Sequence, residues 1–227
     1  MSSVAIITAR GGSKRIPRKN IKEFCGKPIL LYSVEAALQS GAFDEVMIST
    51  DDEEIAELGR LAGASIPFFR SAETSGDFAS TDDVIMEVLK SYEKEGLFFD
   101  RFCCIYPTAP FLTPRRLSDA MELLDQADSV LPVVPFSYPP QRGLILNPEG
   151  ELRRQYPEHA LTRSQDLPTV YHDAGQFYAC RTAPFMAAGT TDVDNMIPLI
   201  LPETEVQDID TEEDWRMAEL KYHFLHS

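Results

Sequence analysis

Val4-Ala5-Ile6-Ile7-Thr8-Ala9 runs straight into Arg10-Gly11-Gly12-Ser13-Lys14-Arg15-Ile16-Pro17-Arg18-Lys19-Asn20. The join between these two stretches decides the fold. A continuous apolar run of strand length reads as a strand buried on both faces, the habit of parallel sheets. A Gly-rich basic loop at its carboxyl end sits where open α/β sheets place ligands. Paired glycines let backbone N–H groups approach an anion with no Cβ in the way. Lysine and arginine then neutralise phosphate oxygens. The loop matches neither G-x-x-x-x-G-K-[ST] nor G-x-G-x-x-G. It is a phosphate loop of another kind or, failing that, a solvated basic turn.

Outward from this junction, strand and helix signals alternate. Ile29 to Leu38 has helical spacing, with Gly41 as its stop, and Val46-Met47-Ile48-Ser49 reads as a strand. Glu54 to Leu61 reads as a helix, Ile66-Pro67-Phe68-Phe69 as a short extended piece, and Ser80 to Glu95 as a helix with a capping box. Phe102 to Tyr106 and Val130 to Val134 are strands, separated by a helix that Thr113-Pro114 opens. Gln176 to Cys180, Ile197 to Leu201 and Val206 to Ile209 are further strands, before a helix from Thr211 to Phe224. The alternation predicts a three-layer α/β domain over 1–227, with a mainly parallel sheet and helices on both faces. It fails between 136 and 174, where prolines and glycines punctuate the chain; this stretch is expected to be an irregular arm, serving as a lid or a subunit contact.

Composition narrows the function classes. The chain of 227 residues has a formal net charge of -15, which disfavours nucleic-acid binding, because that affinity rests on phosphate neutralisation. Yet Arg10, Lys14, Arg15, Arg18 and Lys19 crowd one loop, with no acid before Glu23. A basic pocket in an acidic protein points to a small anionic ligand. No apolar stretch has membrane-spanning length. The N-terminus lacks the features of a signal peptide, and Cys25, Cys103, Cys104 and Cys180 have no metal-ligand spacing. The expectation is a cytoplasmic chain with reduced, mostly buried thiols.

Asp208-Ile209-Asp210 is the second chemical feature. In an extended segment both carboxylates face one side and can share a hard cation; near a triphosphate that cation is Mg²⁺. The alternative is that Asp210 merely caps the last helix. Arg70 follows an apolar stretch and is placed to touch phosphate or nucleotide, or is an ordinary surface arginine. Pro107-Thr108-Ala109-Pro110 forms either a rigid loop over the sheet edge or a simple turn. Arg142, Arg163, His172 and Asp173 lie in or beside the arm.

Taken together, these residues resemble the CMP-sialic acid synthetase family over nearly the whole chain. The resemblance rests on Ala9-Arg10 through Lys19-Asn20, Ser49-Thr50-Asp51, Arg70 before Ser71-Ala72-Glu73, Pro107-Thr108-Ala109-Pro110 and Asp208-Ile209-Asp210. Within that family, the basic loop, Ala160 to Asp166 and Tyr171 to Tyr178 are most similar to the members that act on pseudaminic acid. The resemblance implies a Rossmann-like nucleotide-diphospho-sugar transferase fold, with CTP and a nine-carbon 2-keto sugar acid as substrates and a homodimer formed through the arm. Catalytic roles are implied for Arg10, Lys19, Asp208 and Asp210, with Mg²⁺ on the two aspartates. Nucleotide contacts are implied for Arg10, Gly11, Gly12, Ser13, Lys14, Lys19, Asn20, Arg70 and Ser80. Sugar contacts are implied for Tyr106, Arg142, Arg163, His172, Asp173, Gln176 and Tyr178, with Arg163 reaching a partner's site. The sequence departs from the neuraminic-acid enzymes at Tyr106, where they have Gln, and at His172-Asp173-Ala174-Gly175, where they have Arg-Pro-Asn-Gly. Both changes favour another stereoisomer. The product would supply a bacterial surface or flagellar glycan.

Other readings are N-acetylneuraminate or legionaminate as the sugar, the enzyme for the eight-carbon acid of lipopolysaccharide, a metal-dependent glycosyltransferase, and a non-catalytic nucleotide-binding protein. The Ser-Lys…Lys-Asn loop disfavours the eight-carbon enzyme, and the late position of Asp-x-Asp disfavours the glycosyltransferase.

Overall fold

The structure, a computed structural model, describes residues 1–76 and 78–226. Its first strand, β1 (Ser3–Thr8), divides its side chains between two apolar layers, as the two-residue period of a strand requires. Val4 and Ile6 join one buried cluster and Ala5 and Ile7 the other. A loop carrying β2 (Glu23–Phe24) and β3 (Lys27–Pro28) leads to α1 (Leu30–Ser40) and β4 (Glu45–Ser49). Gly41 ends α1 in the left-handed conformation, φ 62°, which a residue with a Cβ adopts only under strain. Next come α2 (Glu53–Leu61), the short α3 (Ala72–Ser75), α4 (Thr81–Lys94), β5 (Arg101–Ile105), α5 (Pro114–Leu123) and β6 (Ser129–Pro135). The irregular stretch carries a hairpin, β7 (Leu144–Leu146) and β8 (Leu152–Arg154), and then β9 (Tyr171–Asp173). The chain closes with β10 (Phe177–Arg181), α6 (Thr182–Ala188), β11 (Met196–Ile200) and α7 (Glu212–Leu225).

The central sheet has the order β11-β6-β10-β5-β1-β4, with β9 paired to β6. It is mainly parallel, as expected; β10 runs antiparallel to both β5 and β6, and β9 antiparallel to β6. One face packs Leu30 and Val34 of α1 with Leu117 and Ala120 of α5; the other packs Ile85, Val88 and Tyr92 of α4 with Phe185 of α6. Cys103 and Cys104, neighbours on β5, fall on opposite faces, and no described cysteine is in a disulfide. No helix among the described residues is long and apolar enough to cross a membrane.

The extended piece expected at Ile66 to Phe69 stays outside the sheet: only Ser65 bridges to Met47, and Pro67, lacking an N–H, lies in the bend that follows. The structure corrects one expected strand, since Val206 to Ile209 forms none. Val206 closes a short helical turn over Glu203–Glu205 and is buried, as is Ile209, with no strand paired to 206–209. The helix caps are those expected: Ser80 with Asp83 and Thr211 with Asp214 form capping boxes, and Thr113 caps α5.

Candidate functional site

Because β1, β4 and β5 are parallel, their carboxyl ends open on one edge of the sheet. A cleft of about 520 Å³ lies there, within the range usual for small-molecule sites. The basic loop forms its floor. Asn20 is buried, and its Nδ2 donates to the Arg10 carbonyl at 2.9 Å, holding the two ends of the loop together. Gly11 donates its N–H to Asp51 Oδ1 at 2.8 Å. A Cβ on Gly11 would lie 2.7 Å from Asp52 Oδ2, so this position excludes a side chain for steric reasons. Arg18 sits at φ 54° and turns away from the cleft to pair with Asp52 and Glu54 at the start of α2. Of the crowded cations, Arg18 alone is therefore structural; Arg10, Lys14, Arg15 and Lys19 line the cleft, as does Arg70 from the next crossover.

Arg70 is held against the end of β4. Its Nε donates to Ser49 Oγ at 3.1 Å and its guanidinium to the Ser49 carbonyl at 2.8 Å. Burial lowers its pKa from the usual arginine value, which favours gaining an anionic partner. Burial also pushes the Lys19 ammonium down, while Asp210 pulls it up.

Across the cleft stands the Asp-x-Asp segment. Ile209 is buried beside Ile16, Phe24 and Trp215, and both flanking aspartates line the cleft. Lys19 Nζ donates to the Ile209 carbonyl at 2.6 Å, and Arg15 pairs with Asp210 at 2.6 Å. Thr211 caps α7, so Asp210 is released from that role. The Asp208 carboxyl has a raised pKa, first through loss of surrounding water and then through the Asp210 carboxylate. Two crowded carboxylates with one of them short of positive charge fit a divalent cation. Mg²⁺ is commonly held by one or two carboxylates together with substrate phosphates and waters.

Several expected site residues meet here: Arg10, Ser13, Lys14, Lys19, Asn20, Arg70, Ser80, Tyr106, Asp208 and Asp210 all line the cleft. Others do not. Gly11 and Gly12 shape the loop without lining the cavity. The buried Gln176 donates to the Glu205 carbonyl and accepts from Tyr106 N through its own carbonyl. Tyr178 and Asp173 stand behind Tyr106. His172 packs its ring against Phe136, Arg142 bonds Ser164, and Arg163 pairs with Asp166. Sequence reasoning did not assign Arg15, Thr8, Thr74, Thr81 or Thr108 to the site, though all line it. Arg15 was legible as part of the basic run. Thr108 lies in the Pro107-Thr108-Ala109-Pro110 loop expected over the sheet edge, whereas Thr8 and Thr74 carry no local signal.

The comparisons with known proteins agree with this geometry. The cytidylyltransferase family model matches residues 4–201. The chain is similar to the pseudaminic acid cytidylyltransferase of Campylobacter jejuni, 40% identical over 100% of this chain and 98% of the relative. It is also similar to the CMP-N,N'-diacetyllegionaminic acid synthase of Legionella pneumophila, 32% identical over 96% of this chain and 95% of the relative. In fold it is similar to the structure of CMP:2-keto-3-deoxy-manno-octonic acid synthetase complexed with CTP, with a TM-score of 0.66 at 17% identity over 100% and 99% of the two chains. The family model and the full-length relatives agree, and the chain belongs to the cytidylyltransferase family.

Proposed function

We propose that the chain transfers CMP from CTP to the anomeric hydroxyl of a nine-carbon sialic-type sugar acid, pseudaminic acid first among them. The observation that carries this is the cleft itself: five cations, Arg10, Lys14, Arg15, Lys19 and Arg70, face one carboxylate pair in a chain similar over its whole length to a pseudaminic acid cytidylyltransferase. The sugar's C2 oxygen forms a bond to the α-phosphorus, and the bond to the pyrophosphate oxygen breaks. Such a transfer needs positioning and charge neutralisation more than covalent help from the protein. Arg10, Lys14 and Lys19 bind the triphosphate and stabilise charge on the leaving pyrophosphate. Asn20, Arg70 and Ser80 place the nucleoside. Asp208 and Asp210 would hold Mg²⁺, which when bound polarises the phosphate and acidifies an attacking hydroxyl.

The arm fits a homodimer contact. Leu144, Leu146 and Leu152 are 56%, 69% and 65% exposed on the hairpin, an apolar display that a second copy would cover. In that arrangement Arg163 would exchange Asp166 for the sugar carboxylate in the partner's cleft. The setting is cytoplasmic, and the product would serve a surface or flagellar glycan.

The test is pyrophosphate release from CTP and Mg²⁺ with pseudaminic, legionaminic and N-acetylneuraminic acids offered separately. Release with pseudaminic acid alone is expected. Release with another acid keeps the reaction and changes the substrate; CTP binding without release from any of them removes the catalytic reading.

A further inference from the structure

Tyr106 stands at the carboxyl end of β5, one strand over from β1, while Arg70 is held at the end of β4 on the other side of β1. A nucleotide with its phosphates on the β1 loop and its nucleoside toward Arg70 leaves the Tyr106 flank to the acceptor. The backbone of Tyr106 is fixed: its N–H donates to the Gln176 carbonyl at 2.8 Å, and its carbonyl accepts from Ser33 Oγ at 2.8 Å. Its ring packs edge-on against Tyr178, with centroids 5.6 Å apart.

The hydroxyl of Tyr106 belongs to a chain of hydrogen bonds whose direction one carboxylate sets. Asp173, an acceptor when ionised, takes the Tyr178 hydroxyl proton and also accepts from Gly175 N at 2.7 Å. With its proton committed, Tyr178 has only its oxygen to offer Tyr106, 3.4 Å away. In that bond the Tyr106 hydroxyl donates to Tyr178, which does not line the cleft, and its lone pairs are left for the side toward Thr81. Thr81 Oγ1 stands equally far away, at 3.4 Å, where either hydroxyl can donate; both contacts are long, and the Tyr106 oxygen keeps a lone pair for a further donor. Burial raises the pKa of both phenols, so both stay protonated and the chain keeps its direction.

We infer that Tyr106 is a specificity residue that accepts a hydrogen bond from an N–H or O–H group on the acceptor sugar, and that Tyr178 and Asp173 are positioning residues that keep its oxygen in the acceptor state. This inference rests on the proposed reaction and adds what the site selects: an acylamino or hydroxyl donor at that flank, in preference to a carbonyl, ester or methyl group. A tyrosine free to rotate its proton would accept either kind of group.

The experiment measures initial rates of pyrophosphate release by the full chain, varying sugar at saturating CTP and then the reverse, for wild type, Tyr106→Phe, Tyr178→Phe and Asp173→Asn. Tyr106→Phe should raise the sugar KM about tenfold and leave the CTP KM within about twofold, the size expected for one lost neutral hydrogen bond. Tyr178→Phe and Asp173→Asn should raise the sugar KM by about threefold to fivefold, and neither should add to Tyr106→Phe in a double variant. N-methylation of the sugar's acylamino groups, or deoxygenation at single hydroxyls, should identify one change that weakens wild type and leaves Tyr106→Phe unaffected. Melting temperatures close to wild type show that the variants fold. A shift in the CTP KM instead, additive double variants, or no change in any variant of an active enzyme overturns the inference and leaves the proposed reaction standing. Inactivity of wild type with every nine-carbon acid overturns the reaction and the inference together.

Discussion

The cleft and the arm are built in opposite ways. In the cleft, each key group is held by residues far away in sequence: Lys19 by Ile209, Arg15 by Asp210, Arg70 by Ser49. In the arm beyond β6, several side-chain contacts stay within the arm: Arg163 with Asp166, Asn147 with Glu151 across the turn of the hairpin, and Arg142 with Ser164. Leu144, Leu146 and Leu152 of the hairpin face outward. Preorganised charge needs a rigid frame, because groups fixed before the substrate arrives lose nothing by reorganising. The hairpin leaves Leu144, Leu146 and Leu152 exposed, and on the proposed dimer reading a second copy covers them. A cleft variant should therefore change chemistry with little change in assembly, whereas an arm variant should change assembly first.

The largest effect tests the cleft. Asp210→Asn should lower turnover by at least about 100-fold, the scale on which a transition-state charge contact acts. The fold should survive, because Thr211 and not Asp210 caps α7. Pyrophosphate release and a thermal melt measure the two separately. Full activity in the variant would remove Asp210 from the proposed metal site and blur the contrast with the arm.

The arm gives the next largest effect. Leu146 and Leu152 face each other across the hairpin. Changing them together to Leu146→Glu and Leu152→Lys keeps a favourable cross-strand pair while removing the apolar surface. On the proposed dimer reading, light scattering after size exclusion should report a monomer, with CTP affinity within about twofold of wild type and sugar turnover reduced about tenfold through loss of the arginine proposed to come from the partner. An unchanged oligomer would mean that the contact lies elsewhere.

Asp208→Asn sharpens the comparison from inside the cleft. The raised pKa of Asp208 means that the folded chain binds this proton more tightly than the unfolded chain does. Its ionised form is thus destabilising, and stability is lost as pH rises through the carboxylate range. The variant should therefore melt above wild type at neutral pH without metal. The gap should close as pH falls below the ordinary carboxylate value. Added Mg²⁺ should stabilise wild type more than the variant. A site that costs stability until its ligand arrives is the opposite of the arm, whose cost lies in uncovered apolar surface.

The same contrast explains what the sequence disclosed. The strand from Val4 and the loop through Asn20 were legible because a buried run followed by glycines and cations is a local signal. Ser80 and Thr211 were legible because capping boxes span four residues. The antiparallel turn of β10 was not: Phe177 to Cys180 reads as a buried strand in either direction, and only its pairing with Cys103 and Cys104 fixes it. Asp208 and Asp210 were correctly expected to share a side, though in a coil; Ile209 anchors the segment in place of a strand ladder. Arg18 looked like a cleft cation and is not, because Asp52 and Glu54, more than thirty residues away, claim it. Tyr178 and Asp173 read as sugar contacts and instead stand one layer behind Tyr106, a relation that depends on β9 and β10 returning to the sheet.

The smallest effect concerns that claim on Arg18. Asp52 caps α2 through the N–H groups of Glu54 and Ile55 at 3.0 and 3.1 Å while pairing with Arg18. The Arg18 guanidinium holds its carboxyl below the usual range. Asp52→Ala should cost about 1–2 kcal/mol, as loss of a helix cap does, and lower Tm by about 2–8 °C for a chain of this length. A carboxyl with a lowered pKa contributes stability that is present above its unfolded value and lost as pH falls through its folded value, so the difference in Tm should shrink on acidification below about pH 4. CTP affinity should change less than stability, because Gly11 N is held by Asp51 and the loop ends by Asn20, and neither contact involves Asp52. If CTP affinity fell in step with stability, the placement of Asp52 where a Gly11 side chain would lie would be setting the shape of the basic loop, and the rigidity of the cleft would extend back to the first turn of α2.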